Sequence, residues 1–184
     1  SWIEAQRSSD TPPLLRIVVA VDPPASSGAA SDACGIVAAG IDALGICHVL
    51  ADRTVQPATP FRWASEAVRL YEQLEADAII AEVNQGGDMV VAVVRQVAAN
   101  APVRPVRATR GKAVRAEPVA ALYERGRVVH AGRFPDLEDQ MCAFTREGLE
   151  GGGSPDRVDA LVWAITDLAL TPRATPRIRM IARD

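Results

Sequence analysis

The stretch Arg16-Ile17-Val18-Val19-Ala20-Val21-Asp22-Pro23-Pro24 decides the fold. Its five consecutive apolar residues, Ile17 to Val21, are rich in Val and Ile and fit a strand buried on both faces, so the sheet is expected to be covered on both sides. Proline lacks a backbone N–H and fixes φ. Pro23 and Pro24 therefore end the ladder and leave Asp22 at the strand's carboxyl end, where α/β sheets carry functional groups. Asp22 is the first candidate for chemistry; the alternative is an Asp that caps the following turn.

The chain of 184 residues suits a single domain with a sizeable core. A net charge of −3 does not mark a nucleic-acid binder, although a total conceals local basic patches. The three cysteines, Cys34, Cys47 and Cys142, have no CxxC spacing, which argues against a disulfide framework or a zinc site and for a reducing, cytoplasmic setting. No apolar run approaches the roughly 20 residues that cross a bilayer, and no basic-then-apolar leader opens the chain. It begins with Ser1 rather than Met, and its first residues are polar and turn-prone, so a longer polypeptide is expected to precede it. The expected division is a polar lead-in over 1–15, one domain over 16–170 and a Pro/Arg-rich tail over 171–184.

Outward from Asp22, residues 25–31 are small and flexible in character and read as a loop able to close over a site. Two β-leaning runs, 35–41 and 45–53, join through Asp42-Ala43-Leu44-Gly45, which predicts a hairpin and a three-strand antiparallel meander in which Cys34 and Cys47 are not opposed. Residues 60–76 carry Trp63, Ala67, Leu70, Tyr71 and Leu74 on one helical face, with Pro60 in the first turn. Ala78-Ile79-Ile80-Ala81 then returns as a second buried strand, closing in Glu82. A right-handed crossover sets this strand parallel to the first, so Glu82 and Asp22 are expected at the same sheet edge.

A helix over 88–100, entered through Gly86-Gly87, and a third parallel strand over 102–106 follow. Arg104, Arg107, Arg110, Lys112 and Arg115 then place five cations in twelve positions without an acid. A solvated loop would explain them, but a patch that follows a strand's carboxyl end is placed to meet phosphates. A helix over 117–124, an edge strand over 127–130 and a short helix over 137–144 come next, with His130 read as an edge-strand residue rather than a ligand. After a glycine-rich hinge over 148–153, Ser154-Pro155 opens a deeply packed helix running to about residue 170, with Ser154 expected as its cap. Asp156 and Asp159 share one face of its first turn. Acids there can simply complement the helix dipole, but Asp159 lies further into an apolar helix, where an unpaired carboxylate is costly. Neither a P-loop nor a strand-linked GxGxxG is present.

Asp22, Glu82 and Asp159 each end or enter a buried element, with no matching cations in their own segments. A hard divalent cation supplies the counter-charge, since Mg²⁺ favours carboxylate oxygen and keeps positions open for water and phosphate. Two ions about 4 Å apart activate a water and stabilise the leaving oxygen of an in-line phosphodiester displacement. Carboxylate pairs also serve glycosidases, but aromatics are only 4% of residues, too few for the usual sugar platform.

These residues carry a resemblance. A meander ending in Asp, a strand ending in Glu and a late helix with Asp resemble the ribonuclease H-like fold, an α/β mixed sheet of a three-strand antiparallel meander plus parallel strands, with helices on both faces. Within it, Val21-Asp22-Pro23-Pro24, Ala81-Glu82-Val83-Asn84-Gln85-Gly86-Gly87, Thr109-Arg110-Gly111-Lys112 with Arg115-Ala116-Glu117-Pro118-Val119-Ala120, Gly126-Arg127-Val128-Val129-His130 and Ser154-Pro155-Asp156-Arg157-Val158-Asp159-Ala160-Leu161-Val162-Trp163-Ala164 are similar to the nuclease domain of phage, prophage and gene transfer agent terminase large subunits. The resemblance implies a Mg²⁺- or Mn²⁺-dependent endonuclease, with two ions when DNA is bound, that cuts double-stranded DNA during headful packaging in the bacterial host cell. It implies Asp22, Glu82 and Asp159 as catalytic metal ligands, Asp156 as an auxiliary one, and Arg107, Arg110, Lys112 and Arg115 along the DNA. The implied partners are a packaging ATPase domain of the same longer polypeptide, the portal or procapsid, and the small terminase subunit. Two other readings stay open: another ribonuclease H-like nuclease, such as a resolvase or integrase core, and a non-catalytic DNA-binding or docking domain.

Overall fold

The computed structural model describes residues 4, 7–8, 10–24, 33–84, 87–145, 147–150 and 152–172. The expected closing loop over 25–31, Gln85 and Gly86 of the glycine turn, and the tail beyond residue 172 lie outside the described residues.

The apolar run forms β1 (Leu14–Asp22), at the heart of a six-stranded sheet. β2 (Gly35–Asp42) and β3 (Cys47–Asp52) complete the antiparallel meander; β4 (Ala78–Glu82), β5 (Val103–Val106) and β6 (Val128–His130) add parallel pairings, giving the order β5-β4-β1-β2-β3-β6. Three helices connect them: α1 (Pro60–Gln73), α2 (Asp88–Val97) and α3 (Lys112–Glu124). A helix α4 (Pro135–Ala143), a small hairpin of β7 (Phe144–Thr145) and β8 (Gly148–Leu149), and α5 (Asp156–Ile165) follow, α5 continuing as a π-helical turn over Thr166–Leu170.

Strand alternation sorts β1 into two cores, as expected of a strand covered on both faces. Val18 and Ala20 face a cluster built with Leu161 and Ile165 of α5 and Val119 of α3. Val19 and Val21 face Trp63 and Leu70 of α1 and Val90 and Val94 of α2. This is the ribonuclease H-like architecture expected from the sequence. All three cysteines are free, and Cys47 faces Ile41 across the hairpin while Cys34 bridges to Val55. No helix among the described residues is long and apolar enough to cross a membrane.

The outer edge of β6 is engaged by the lead-in, where Arg7 bridges to His130 and the Ser8 N–H donates to the His130 carbonyl at 2.9 Å. His130 is fully buried, with Tyr123 Oη 2.8 Å from Nε2 and Glu138 Oε1 2.9 Å from Nδ1. Burial pushes the Glu138 carboxyl up, but hydrogen bonds from Arg7, His130 and the Phe134 N–H outweigh it and bring it to about 2. His130 thus lies in the edge strand, as expected, but is fully buried there, which the sequence did not indicate.

The first two helices end three residues earlier than expected, at Gln73 and Val97, and other differences lie nearer the site. α3 starts at Lys112 rather than at 117, so Lys112 and Arg115 belong to a helix and not to a loop. Pro118 sits inside α3, where it cannot supply the N–H owed to the Val114 carbonyl. Ser154 does not cap α5. Pro155 takes the cap position and makes no side-chain cap bond; the first-turn N–H of Val158 instead donates to Gln140 Oε1 of α4 at 3.0 Å. Gly148 and Leu149 of the expected glycine-rich hinge form β8, paired with β7.

Candidate active site

Register brings the first two acids together. β1 and β4 run parallel with Val21 beside Ala81, so the next residues along the two strands are Asp22 and Glu82, at one edge of the sheet. The two-residue period puts Asp22 on the face of Val18 and Ala20, and Glu82 on that of Ala78 and Ile80, which is the face α5 covers. α5 packs across β2 and β1 and carries Asp159, only 2% exposed, in its first turn.

Gly35 makes this docking possible. It pairs with Asp22 across β1 and β2, and a Cβ at Gly35 would overlap the backbone carbonyl of Asp156. The backbone of α5 therefore comes directly onto the strand beside Asp22, an approach only glycine allows.

The acids border an open cleft of about 450 Å³. Asp22, Glu82 and Asp156 line it together with Arg110, Lys112 and Arg115. Burial raises the Asp22 carboxyl well above the usual range, and the negative charges of Asp159, Glu82 and Asp156 add to it against the Lys112 ammonium. No hydrogen bond or ion pair engages the Asp22 carboxylate among the described residues. Burial also raises Asp159, opposed by Lys112 and Arg115.

Those two cations come from the first turn of α3. Lys112 Nζ lies against Asp159 Oδ2 and also meets Ser154 Oγ at 3.2 Å. Arg115 spans two acids, donating to Asp159 Oδ1 at 3.3 Å and to Glu82 Oε2 at 3.4 Å, with its guanidinium 4.7 Å from the centre of the Trp163 ring. Part of the counter-charge expected from a metal alone is thus supplied by the protein. In this arrangement no three His, Cys, Asp or Glu side chains among the described residues are grouped closely enough to chelate an ion.

The remaining expected site residues are spread around this centre. Asp156 stands at the cleft, one helical turn before Asp159. Arg110 is exposed on the cleft wall, and Arg107 is exposed just past β5, away from the lining. Arg115 is turned inward with its side chain 10% exposed, an internal ion-pair partner rather than a surface cation. Arg104, counted with the basic patch in the sequence, instead pairs with Asp167 at 2.8 Å.

Sequence reasoning missed two residues that hold Glu82. Trp163 Nε1 donates to Glu82 Oε2 at 2.5 Å, and Asn84 Nδ2 donates to Oε1 at 2.9 Å. Asn84 Oδ1 in turn accepts from the Ala108 N–H at 2.8 Å, tying the end of β4 to the segment that follows β5. Trp163 reads as one more core residue on an apolar helix. The available signal was its spacing of four from Asp159, which places both on one face of α5.

Several solved structures are similar to this one. The nuclease domain of the large terminase subunit gp2 of bacterial virus Sf6 superposes with a TM-score of 0.65 at 17% identity, covering 89% of this chain and 95% of that one. The large terminase nuclease from thermophilic phage G20c, solved with bound cobalt, gives 0.60 at 14% identity, over 90% and 95% of the two chains. The large terminase of bacteriophage HK97 gives 0.66 at 12% identity; 90% of this chain is covered, but it spans only 42% of that protein. No curated protein sequence matches the chain. The family model described as the terminase RNaseH-like domain matches residues 19–168, from β1 through the end of α5 and into the π-helical turn. With that match over most of its length and the same fold in its structural relatives, the chain belongs to the terminase ribonuclease H-like domain family.

Proposed function

We propose that this chain is a metal-dependent endonuclease that cuts double-stranded DNA during headful genome packaging, as the nuclease part of a terminase large subunit. The observation that carries the reading is that Asp22 and Glu82 end adjacent strands with Asp159 of α5 near enough to act on the Asp22 charge, beside a cleft also lined by Arg110 and Lys112.

The donor set fits a hard divalent cation, because it consists of carboxylate oxygens and because Asp22 sits in the negative field of its neighbours, which a cation would relieve. Relatives support the choice: a variant of the Sf6 domain has been solved with manganese and with calcium, and the G20c nuclease with cobalt. Asp22, Glu82 and Asp159 would hold Mg²⁺ or Mn²⁺, two ions when DNA is bound, with Asp156 as an auxiliary ligand. When bound, such ions activate an attacking water and stabilise the leaving oxygen of the phosphodiester.

The chain's own residues position the reactants. Pro23 and Pro24 fix the exit of β1, so Asp22 is presented from the rigid centre of the sheet. Arg115 holds the carboxylates of Glu82 and Asp159 together against their repulsion. Arg110 and Lys112 would grip phosphates at the cleft, and Arg107 would extend the track along the duplex. An ATPase domain in the same polypeptide, a portal or procapsid and a small terminase subunit are the partners this reading assigns. The HK97 large terminase, of which this chain spans 42%, supports only a longer polypeptide.

Plasmid cleavage in Mn²⁺ tests the proposal. Wild-type protein should cut and Asp22→Asn should not, with the circular dichroism of the two unchanged. Equal cutting by the variant would remove Asp22 from the chemistry, and no metal-dependent cutting by either protein would favour a docking domain. Preferential cleavage of four-way junctions over linear duplex would favour a resolvase.

A further inference from the structure

Glu82 occupies an unusual position among the acids, because each of its oxygens is held by a neutral side-chain donor before any cation is counted. Asn84 donates to Oε1 and the Trp163 indole N–H donates to Oε2. Trp163 is 8% exposed and comes from α5, the element that also carries Asp159. Its ring face supports the Arg115 guanidinium, which joins Glu82 to Asp159. One side chain therefore fixes both the carboxylate of Glu82 and the cation beside it. A core role alone would need neither the N–H direction nor the stacked guanidinium.

We propose that Trp163 is a positioning residue for metal binding, acting through Glu82: its indole N–H sets the carboxylate's rotamer and aligns it with the acid on its own helix. The inference rests on the metal-site reading given above. Groups that orient a ligand from behind commonly change metal affinity by about 10- to 100-fold when removed. Trp163→Phe is the discriminating substitution, since it deletes the N–H and keeps an aromatic face for Arg115.

Calorimetric titration of the full chain with Mn²⁺ provides the test, using wild type, Trp163→Phe, Glu82→Gln and the double variant. Trp163→Phe should weaken Mn²⁺ binding about tenfold in the wild-type background and cause no further loss in Glu82→Gln, because its effect passes through that carboxylate. Equal weakening in both backgrounds, or none in the first, would overturn the proposal. Wild-type protein that binds no Mn²⁺ would overturn the site reading and this inference together, so the two failures are distinct. An NMR measurement covers the case in which Trp163→Phe does not fold. Of the three tryptophan indole N–H resonances, one should move in Glu82→Gln, and the same one should move during Mg²⁺ titration of wild type. If no indole signal responds to either change, the proposal fails.

Discussion

Asp22 is buried among like charges, and that fixes the sign of its contribution to stability. Burial, then the charges of Asp159 and Glu82, raise its folded-state carboxyl above the ordinary 3.8, so the folded chain keeps a proton that the unfolded chain releases. Stability is therefore intact below 3.8 and is lost as pH rises from there through the raised folded value. With divalent ions chelated, Asp22→Asn should melt at least about 2 °C above wild type at pH 7, the shift that about 1 kcal/mol produces in a domain of this size. The gap should close as pH falls towards about 4. Calorimetric scans across that range check it, and a variant less stable than wild type at pH 7 would contradict the electrostatic account. The acids were legible in the sequence because each interrupts an apolar run, where a charge has no local reason to be. Trp163 and Asn84 were not: their bond to Glu82 joins side chains whose own surroundings look ordinary. The inward turn of Arg115 was equally hidden, since a cation's letter says nothing of its burial.

At the level of elements, the placement of α5 is the decisive event. It requires Gly35, whose missing side chain leaves room for the Asp156 carbonyl on β2. Gly35→Ala forces that backbone to move, and overpacking of this kind costs about 1–3 kcal/mol. The shift should also draw Asp159 away from Asp22, so both the denaturation midpoint and Mn²⁺ affinity should fall. A Gly35→Ala protein matching wild type in both would show that α5 is not held there by close backbone contact. The strand ends and the parallel return of β4 could be read from hydrophobic runs and crossover handedness. The start of α3 could not, because the residues before Glu117 resemble a polar loop. What sets the true start is tertiary: Lys112 and Arg115 reach Asp159 from the first turn of that helix.

For the whole molecule, a net charge of −3 coexists with a cleft lined by acids and cations together. The fold class was legible because the order of strands, helices and terminal acids allows few topologies; the pairing of acids with cations at the cleft needed coordinates. Duplex DNA should be held mainly through phosphates, with affinity falling steeply as salt rises. Arg107→Ala and Arg110→Ala should each weaken binding regardless of sequence and lower the slope of log affinity against log salt by about 1. Fluorescence anisotropy over a salt series measures this, and slopes unchanged in both variants would place the duplex elsewhere. The account as a whole depends on a divalent ion being caged where the two strands and α5 meet. Anomalous diffraction from crystals soaked in Mn²⁺ tests that most directly: a peak bounded by Asp22, Glu82 and Asp159 is predicted, and a fully soaked crystal with manganese only at other sites would contradict it.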